Sequence, residues 1–148
     1  LFVFIKNNCE EKIPQYDLFK PEDQKLLGSF SKMLPELRKF MDNQDINNYL
    51  KLTVERLFEI NKYVNDNQPW ALKKTDTKRM NTILYTSLES LRKISILLFP
   101  VIPTSSENVL NTLGISKNDI NINNYSIDKH LKPGTKLKEF KILFKKYS

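Results

Sequence analysis

The residues best suited to chemistry lie in one stretch, 61–79, which holds the only tryptophan of the chain, Trp70. Pro69 precedes Trp70 directly, and Lys73 and Lys74 follow it. An aromatic plane beside cations is the combination that stacks on an unpaired base. Large aromatic side chains mostly bury area, however, so Trp70 could equally plug the end of a helical bundle. The sequence leaves both interpretations open.

Two further polar residues of this stretch, Asn61 and Lys62, precede Pro69 by about two helical turns. Lys62, like Lys73 and Lys74, could contact phosphate groups in a salt-dependent manner. Asn61 could hydrogen-bond to RNA or satisfy backbone groups inside a bundle, and both roles stay open. The candidate binding residues are therefore Pro69 and Trp70 with these four neighbours.

No arrangement of side chains predicts a self-contained active site. Glu55 and Glu59 lie one helical turn apart, a spacing that is typical of a solvated helix face. A single Cys9 and a single His130 cannot build a structural zinc site, a disulfide framework or a catalytic Cys-His pair. The three glycines lie too far apart for a phosphate-binding loop. We predict no catalytic residue, no metal site and no cofactor in this chain.

Composition favours a helical domain that binds a polyanion. The chain has 148 residues, only three glycines, and 24 basic against 17 acidic side chains, which gives a formal net charge of +7. The longest apolar run, 94–102, is much shorter than the roughly 20 residues of a membrane span. One cysteine fits a reducing compartment. We therefore expect a cytoplasmic protein with no membrane partner, and the non-Met start suggests a longer parent chain.

Hydrophobic periodicity predicts one short and four longer helical segments. Proline and the acids after Lys20 begin the second segment, with Pro35 as a possible break, and Pro69 must end the third. Thr104 to Glu107 fits a capping box for the fifth. The predicted segments are residues 1–10, 20–41, 45–66, 76–99 and 105–113.

The same periodicity assigns faces to these helices. The third helix is expected to bury a broad stripe that includes Val54, Phe58 and Asn61. The fourth is expected to expose Glu89, Arg92 and Lys93 to solvent, since these residues lie opposite its apolar face. Arg79 and Arg92 should pair with Asp76 and Glu89 or hold neighbouring helices.

The remainder predicts a tail. Residues 118–125 are expected to form a loop, 132–135 a turn, and 136–146 a short strand or an extended segment. The fold class is therefore all-α, an antiparallel bundle of about four to five helices with a basic, partly extended C-terminal tail. We place the bundle at 1–114 and the tail at 115–148.

A series of motifs runs in order along the chain: Asn61-x-Tyr63, Pro69-Trp70-x-Leu72-x-Lys74, Arg79, Leu84, Glu89-x-Leu91-Arg92, Leu97-Leu98-x-Pro100-x-x-Pro103 and Leu110-x-x-Leu113-Gly114. In this order and spacing they resemble the anticodon-binding helical domain of bacterial-type methionyl-tRNA synthetase, a class I aminoacyl-tRNA synthetase. The likeness is densest over 36–114 and extends through Ile13-Pro14 and Leu131-x-Pro133-Gly134.

The resemblance implies a binding role. Trp70 takes the position of the tryptophan that stacks on the cytosine of a CAU anticodon, so the implied partner is methionine tRNA, both initiator and elongator. The family's base-reading Asn and Arg, one turn apart on a helix, are expected before Leu1.

An upstream catalytic domain would use ATP and methionine, whereas this chain lacks the HIGH-like and KMSKS-like motifs. The tail, 115–148, would fold back toward that domain.

Two alternatives stay open. The chain could be the helical anticodon domain of another class I synthetase, such as the cysteine, valine, isoleucine or leucine enzyme. It could also be a protein-interaction scaffold in which Trp70 is buried and the positive charge is incidental. The exposure of the Trp70 ring separates stacking from a structural role.

Overall fold

The computed structural model describes residues 1–140, which form a helical bundle, as the fold class predicted. A single 3-10 turn, Lys117–Asp119, and an isolated antiparallel bridge between Lys12 and Lys136 complete its regular structure in that range. The helices are α1 Phe2–Asn8, α2 Pro21–Asp42, α3 Ile46–Asn67, α4 Thr77–Leu98, α5 Pro103–Thr112 and α6 Ile122–Ser126.

Proline and acidic side chains set the first residues of the long helices α2 and α3. In α2, Pro21 occupies the first turn, and the Asp23 carboxylate accepts a 2.8 Å hydrogen bond from the Lys20 amide. In α3, Asp45 caps the start by accepting from the Asn48 amide at 3.1 Å. The possible break at Pro35 does not occur, since α2 runs through it. Met33 and Leu37 on either side of Pro35 are buried in the core, and this packing offsets the cost of an internal proline.

Helix α4 is the centre of the bundle. It packs against α2, α3, α5 and α6, and 18 of its 22 residues are buried. A helix that is covered on every side is expected to be apolar all round. This helix instead buries three charged residues that we had assigned to its solvated face, Glu89, Arg92 and Lys93.

That prediction was wrong because the segment after α5 returns across α4 and covers the charged face. The Arg92 guanidinium donates to Glu89 at 2.6 Å, as expected, and also to the backbone carbonyls of Asn124 at 2.7 Å and Ile127 at 2.8 Å. The Lys93 ammonium donates to the Asp128 carboxylate at 2.5 Å. Apart from Glu89, these partners lie more than 30 residues away along the chain, so helical periodicity could not reveal them.

Further polar contacts fasten the same segment to the bundle. The Glu89 carboxylate accepts from the backbone amides of His130 and Leu131, each at 3.2 Å. The buried Tyr85 hydroxyl donates to the Leu131 carbonyl at 2.8 Å, and the buried Tyr125 hydroxyl donates to the Phe30 carbonyl at 2.7 Å. We call residues 124–131 the strap. Paired buried polar groups favour one arrangement of a segment, and these bonds hold the strap against α4.

Three local predictions are corrected. Residues 118–125 are not a loop, because they contribute to the 3-10 turn and to α6, whose Asn121 cap accepts from the Asn124 amide at 3.0 Å. Helix α5 begins at Pro103 rather than Ser105 and makes no side-chain cap bond, since proline at the first position presets the helical backbone. The buried stripe of α3 is narrower than predicted, because Val54, Phe58 and Asn61 are exposed.

The chain after the strap returns to the N-terminal region. The predicted turn at 132–135 is present, with Gly134 at φ +83, and its amide donates to the Ile13 carbonyl at 2.8 Å. The Leu137 amide donates to the Glu11 carbonyl at 2.7 Å. Residues 137–140 have no regular structure, and the remainder of the predicted strand or extended segment lies outside the described residues. The division into a bundle at 1–114 and a tail that folds toward a catalytic domain stays a prediction.

None of the helices within residues 1–140 is both long enough and apolar enough to cross a membrane.

The buried Glu89–Arg92 pair predicts a large asymmetry between two arginine substitutions. Arg92→Leu leaves the Glu89 carboxylate buried without its cation and removes two bonds to the strap, so we expect a loss of about 3–5 kcal/mol in the free energy of unfolding. Urea denaturation followed by circular dichroism measures it. The control is Arg38→Leu on the exposed side of α2, which should change stability by less than about 0.5 kcal/mol. Equal effects of the two substitutions would contradict the paired, buried role of Arg92.

Candidate nucleic-acid interface

The stretch between α3 and α4 forms a tight corner, which we define as residues 68–76. Helix α3 ends at Asn67, and Gln68 adopts the left-handed conformation at φ 43, ψ 60. Pro69 is buried, and backbone bonds from Ala71 to Gln68 and from Asp76 to Leu72, each 2.9 Å, close the turns that follow. The corner is thus held by its own backbone as well as by proline.

Trp70 projects from this corner with 49% of its surface exposed. A tryptophan that plugged a bundle would lose nearly all of its exposure, because burial of the ring area is what such a plug contributes. Leu72 beside it is half-buried against the core, whereas Lys73 and Lys74 are exposed. Within residues 1–140 neither lysine makes an ion pair. The corner therefore presents an aromatic surface beside two cations.

The two candidates on α3 are also at the surface. Asn61 is exposed, and its side chain makes no hydrogen bond to any residue in the described range, so it does not satisfy backbone groups of the bundle. The Lys62 ammonium lies 2.8 Å from the Asp66 carboxylate, and both side chains are largely exposed. Exposed pairs of this kind contribute little to stability and are readily exchanged for other partners.

The corner is braced by a buried ion pair that joins α2 to α4. Arg79, in the first turn of α4, donates from Nη1 to Asp23 Oδ2 at 2.5 Å and from Nη2 to Asp23 Oδ1 at 2.9 Å. Asp23 is fully buried. Of the two roles predicted for Arg79, the structure shows that it holds neighbouring helices together and does not pair with Asp76. Asp76 instead caps α4 by accepting from the backbone amide of Arg79 at 2.9 Å.

The same guanidinium reaches the end of α3. Arg79 Nη2 also lies 3.0 Å from a Glu22 carboxylate oxygen and donates to Asn67 Oδ1 at 3.1 Å. The Asn67 side-chain amide in turn donates to the Tyr63 carbonyl at 2.9 Å. Asn67 is the last residue of α3, and Arg79 lies in the first turn of α4, so these bonds fix the distance between the two ends of the corner. We call Asp23, Tyr63, Asn67 and Arg79 the clamp.

Protonation within the clamp follows from its contacts. Burial alone would raise the pKa of Asp23, but hydrogen bonds from Arg79, Tyr63 and the Lys20 amide outweigh burial and hold that pKa below its ordinary value. Burial raises the pKa of the Tyr63 phenol, and the 2.5 Å bond that it donates to Asp23 raises it further. Asp23 is thus charged and Tyr63 neutral across the physiological range.

The sequence analysis missed Asp23, which was assigned to the helix-start charges of α2. One signal could have found its partner: Arg79 lies at the N-terminal end of a helix, where the helix dipole disfavours a cation. A basic residue at that position is therefore stabilised by a nearby carboxylate. The sequence could not say which carboxylate supplies it, because Asp23 is 56 residues away.

The chain is similar to methionine–tRNA ligases in both sequence and fold. The family model described as the anticodon binding domain of methionyl tRNA ligase matches residues 13–148. The methionine–tRNA ligase of Brucella suis is 39% identical over 111 residues, which covers 75% of this chain and 22% of that protein. The methionine–tRNA ligase of Rickettsia conorii is 33% identical over 147 residues, which covers 97% of this chain and 29% of that protein.

The fold has close counterparts among solved structures. Methionyl-tRNA synthetase of Mycobacterium tuberculosis in its free state superposes with a TM-score of 0.91 at 28% identity, covering 98% of this chain and 30% of that one. The same enzyme in complex with methionyl-adenylate gives a TM-score of 0.92 at 28% identity, with 98% and 29% covered. The chain spans less than a third of the length of these relatives.

The lowered pKa of Asp23 predicts how the clamp responds to acid. Because the folded-state pKa lies below the ordinary value of 3.8, the stabilisation from Asp23 is complete above that value and is lost as pH falls below it through the folded-state pKa. The unfolding free energy of the wild type minus that of Asp23→Asn should therefore be constant from pH 7 to about pH 5 and decrease below about pH 4.

Urea titrations at several pH values measure this difference, and Asp42→Asn at the exposed end of α2 is the matched control. The control should show a small difference at every pH. A difference for Asp23→Asn that did not vary with pH would contradict the charged clamp.

Proposed function

The chain belongs to the family of the anticodon-binding domain of methionyl-tRNA ligase, and we propose that it binds the anticodon loop of methionine tRNA through the corner at Trp70. The observation that carries the proposal is the half-exposed ring of Trp70 on a corner that the clamp holds rigid. A base-stacking residue must keep one face open to solvent before binding. A corner whose backbone is already held also lowers the cost of ordering it when RNA arrives.

Stacking would supply the central contact. An aromatic side chain that stacks on an unpaired base contributes about 1–3 kcal/mol. In the proposed complex Trp70 lies against the cytosine of the CAU anticodon, in both initiator and elongator methionine tRNA. Pro69, which is buried, fixes the direction in which the chain leaves α3. Asn61, exposed and free of bonds to residues 1–140, would donate or accept at a base edge.

Lysines would supply the electrostatic part of the affinity. Lys73 and Lys74 are exposed beside Trp70, and Lys62 holds only an exposed partner in Asp66. Each lysine that contacts a phosphate adds a salt-dependent increment, and the formal net charge of +7 favours the encounter.

In the longer synthetase, a catalytic domain would join methionine to the bound tRNA with ATP in the cytoplasm, while this domain identifies the tRNA. Residues 115–148 would lie toward that catalytic domain. No step of the charging reaction is assigned to this chain, whose proposed part is recognition alone.

Removal of the stacking ring tests the proposal. We expect Trp70→Ala to weaken binding of an RNA hairpin with a CAU loop by about five- to 150-fold, the equivalent of 1–3 kcal/mol. Helical circular dichroism should stay unchanged, because half of the ring is already exposed. Trp70→Phe should recover part of the affinity. Unchanged affinity in Trp70→Ala would rule out stacking, and a large loss of helix would indicate a structural ring.

The lysines are tested by the salt dependence of the same binding. Lys73→Ala and Lys74→Ala should each reduce the slope of log affinity against log salt by about one phosphate equivalent. Lys32→Ala, exposed on α2, serves as the control and should leave the slope unchanged. If the slope of log affinity against log salt were the same for all three variants, neither Lys73 nor Lys74 would contact a phosphate.

A further inference from the structure

A cleft with a volume of about 360 Å³ lies where four segments of the chain meet. Its walls come from the end of α1, the loop at 12–15, the start of α4 and the turn at Pro133 and Gly134. The Ile13 amide donates to the Thr135 carbonyl at 2.9 Å, and the Gly134 amide donates to the Ile13 carbonyl at 2.8 Å, so backbone bonds hold the turn against the loop. Sites for small molecules begin at about 300 Å³. The cleft therefore has room for a group of that size.

The cleft adjoins the corner that carries Trp70. Thr77, the first residue of α4, lines the cleft, and its hydroxyl donates to the backbone carbonyl of Lys73 in the corner at 3.2 Å. Across the cleft, Cys9 Sγ lies 3.8 Å from Asn81 Oδ1, a contact that brings the end of α1 against the first turns of α4. The cleft thus begins where the corner ends.

Three amide side chains supply the cleft with hydrogen-bonding groups. Within residues 1–140, the side chain of Asn81 makes its only hydrogen-bond contact with the Cys9 thiol, which leaves its amide nitrogen available as a donor. Asn8 and Gln15 each donate from the amide nitrogen to a nearby backbone carbonyl, at 2.7 and 3.3 Å, which leaves their side-chain oxygens available as acceptors. The cleft therefore offers both donors and acceptors to a bound group.

The remaining lining favours a base over a phosphate. Of the described residues that line the cleft, two are charged, Glu10 and Lys12, and these pair with each other at 2.9 Å. Ile13 and Pro14 are buried and supply an apolar part of the wall. An unpaired base has an apolar face and an edge that carries donors and acceptors, and proteins bind it by contacts to both. The cleft matches this combination and carries no excess positive charge.

We propose that this cleft binds a second unpaired nucleotide of the anticodon loop, other than the one on Trp70, and that Asn81 and Gln15 hydrogen-bond to its base edge. The inference rests on the proposed function and adds a second site of base recognition to it. The contribution of the cleft to affinity should vary with the base and little with salt, because its two charged residues are already paired. Lys73 and Lys74 differ in this respect, since their contribution is electrostatic.

Removal of single bases tests the cleft in the complete 148-residue chain. A set of CAU-loop hairpins carries one abasic nucleotide each, at every loop position in turn. We expect Asn81→Ala and Gln15→Ala each to weaken binding of the intact hairpin about fivefold. Both variants should also lose less affinity than the wild type when one particular base is absent, because that base has already lost its partner. Trp70→Ala should show the same effect at a different loop position.

The matched control is Asn47→Ala, an exposed amide at the opposite end of α3 from the corner. It should leave the affinity for every hairpin unchanged. Circular dichroism should show the same helix content for the control, for Asn81→Ala and for Gln15→Ala.

Cys9 provides a second measurement, because this half-buried thiol lines the cleft and is the only cysteine of the chain. Saturating CAU-loop hairpin should slow its alkylation by a maleimide severalfold. The four nucleoside monophosphates, tested one at a time, should leave the alkylation rate unchanged. A monophosphate that protected Cys9 as well as the hairpin does would overturn the proposal and assign the cleft to a free nucleotide.

The outcomes separate the two proposals. If Asn81→Ala and Gln15→Ala bind every hairpin as the wild type does while Trp70→Ala does not, the cleft is overturned and the proposed function stands. If Asn81→Ala weakens all hairpins by the same factor, its role is structural and the cleft is overturned as a base site. Equal alkylation of Cys9 with and without the hairpin would also contradict the cleft. If the wild type does not bind the intact hairpin, both proposals are overturned.

Discussion

The arrangement of the long helices depends on one buried charge, the carboxylate of Asp23. This carboxylate belongs to α2 and is fully buried against α3 and α4. A buried carboxylate is costly unless it is paired and hydrogen-bonded. Here the two oxygens receive both terminal nitrogens of Arg79, the Tyr63 hydroxyl and the Lys20 amide. These donors come from α2, α3 and α4, so the carboxylate is satisfied only when the three helices meet in one arrangement. The same arrangement sets the geometry of the corner that carries Trp70, because Arg79 also bonds Asn67 at the end of α3.

A second set of buried charges acts on the other side of α4. Glu89 and Arg92 pair with each other, and both also hydrogen-bond to the backbone of the strap. Buried charges thus fix the connections between helices, while Trp70 stays half-exposed at the surface. For the proposed binding of RNA, a fixed corner would lower the entropic cost of binding, and the open ring of Trp70 would supply the stacking.

Sequence patterns predicted the parts of this structure that short-range physics controls. Helices α2, α3 and α4 lie within a few residues of their predicted positions, since proline, acidic caps and apolar spacing act locally. The end of α3 before Pro69 was predicted because proline lacks an amide hydrogen. The burial of the charged face of α4 could not be predicted, because Arg92 bonds carbonyls that lie 32 and 35 residues away. The bonds to Asp23 could not be predicted either, because Tyr63 and Arg79 lie 40 and 56 residues from it. Of the candidate site, the aromatic residue and its lysines were visible in the sequence, whereas the brace that orients them required the fold.

The central claim is that Trp70 meets an anticodon base directly, and its intrinsic fluorescence tests this most simply. As the only tryptophan in the chain, it reports on its own surroundings without any label. Titration with a CAU-loop hairpin should quench that fluorescence to saturation, at lower RNA concentration than a hairpin with the same stem and an exchanged loop. Absence of quenching, or the same titration curve with every loop, would contradict the account.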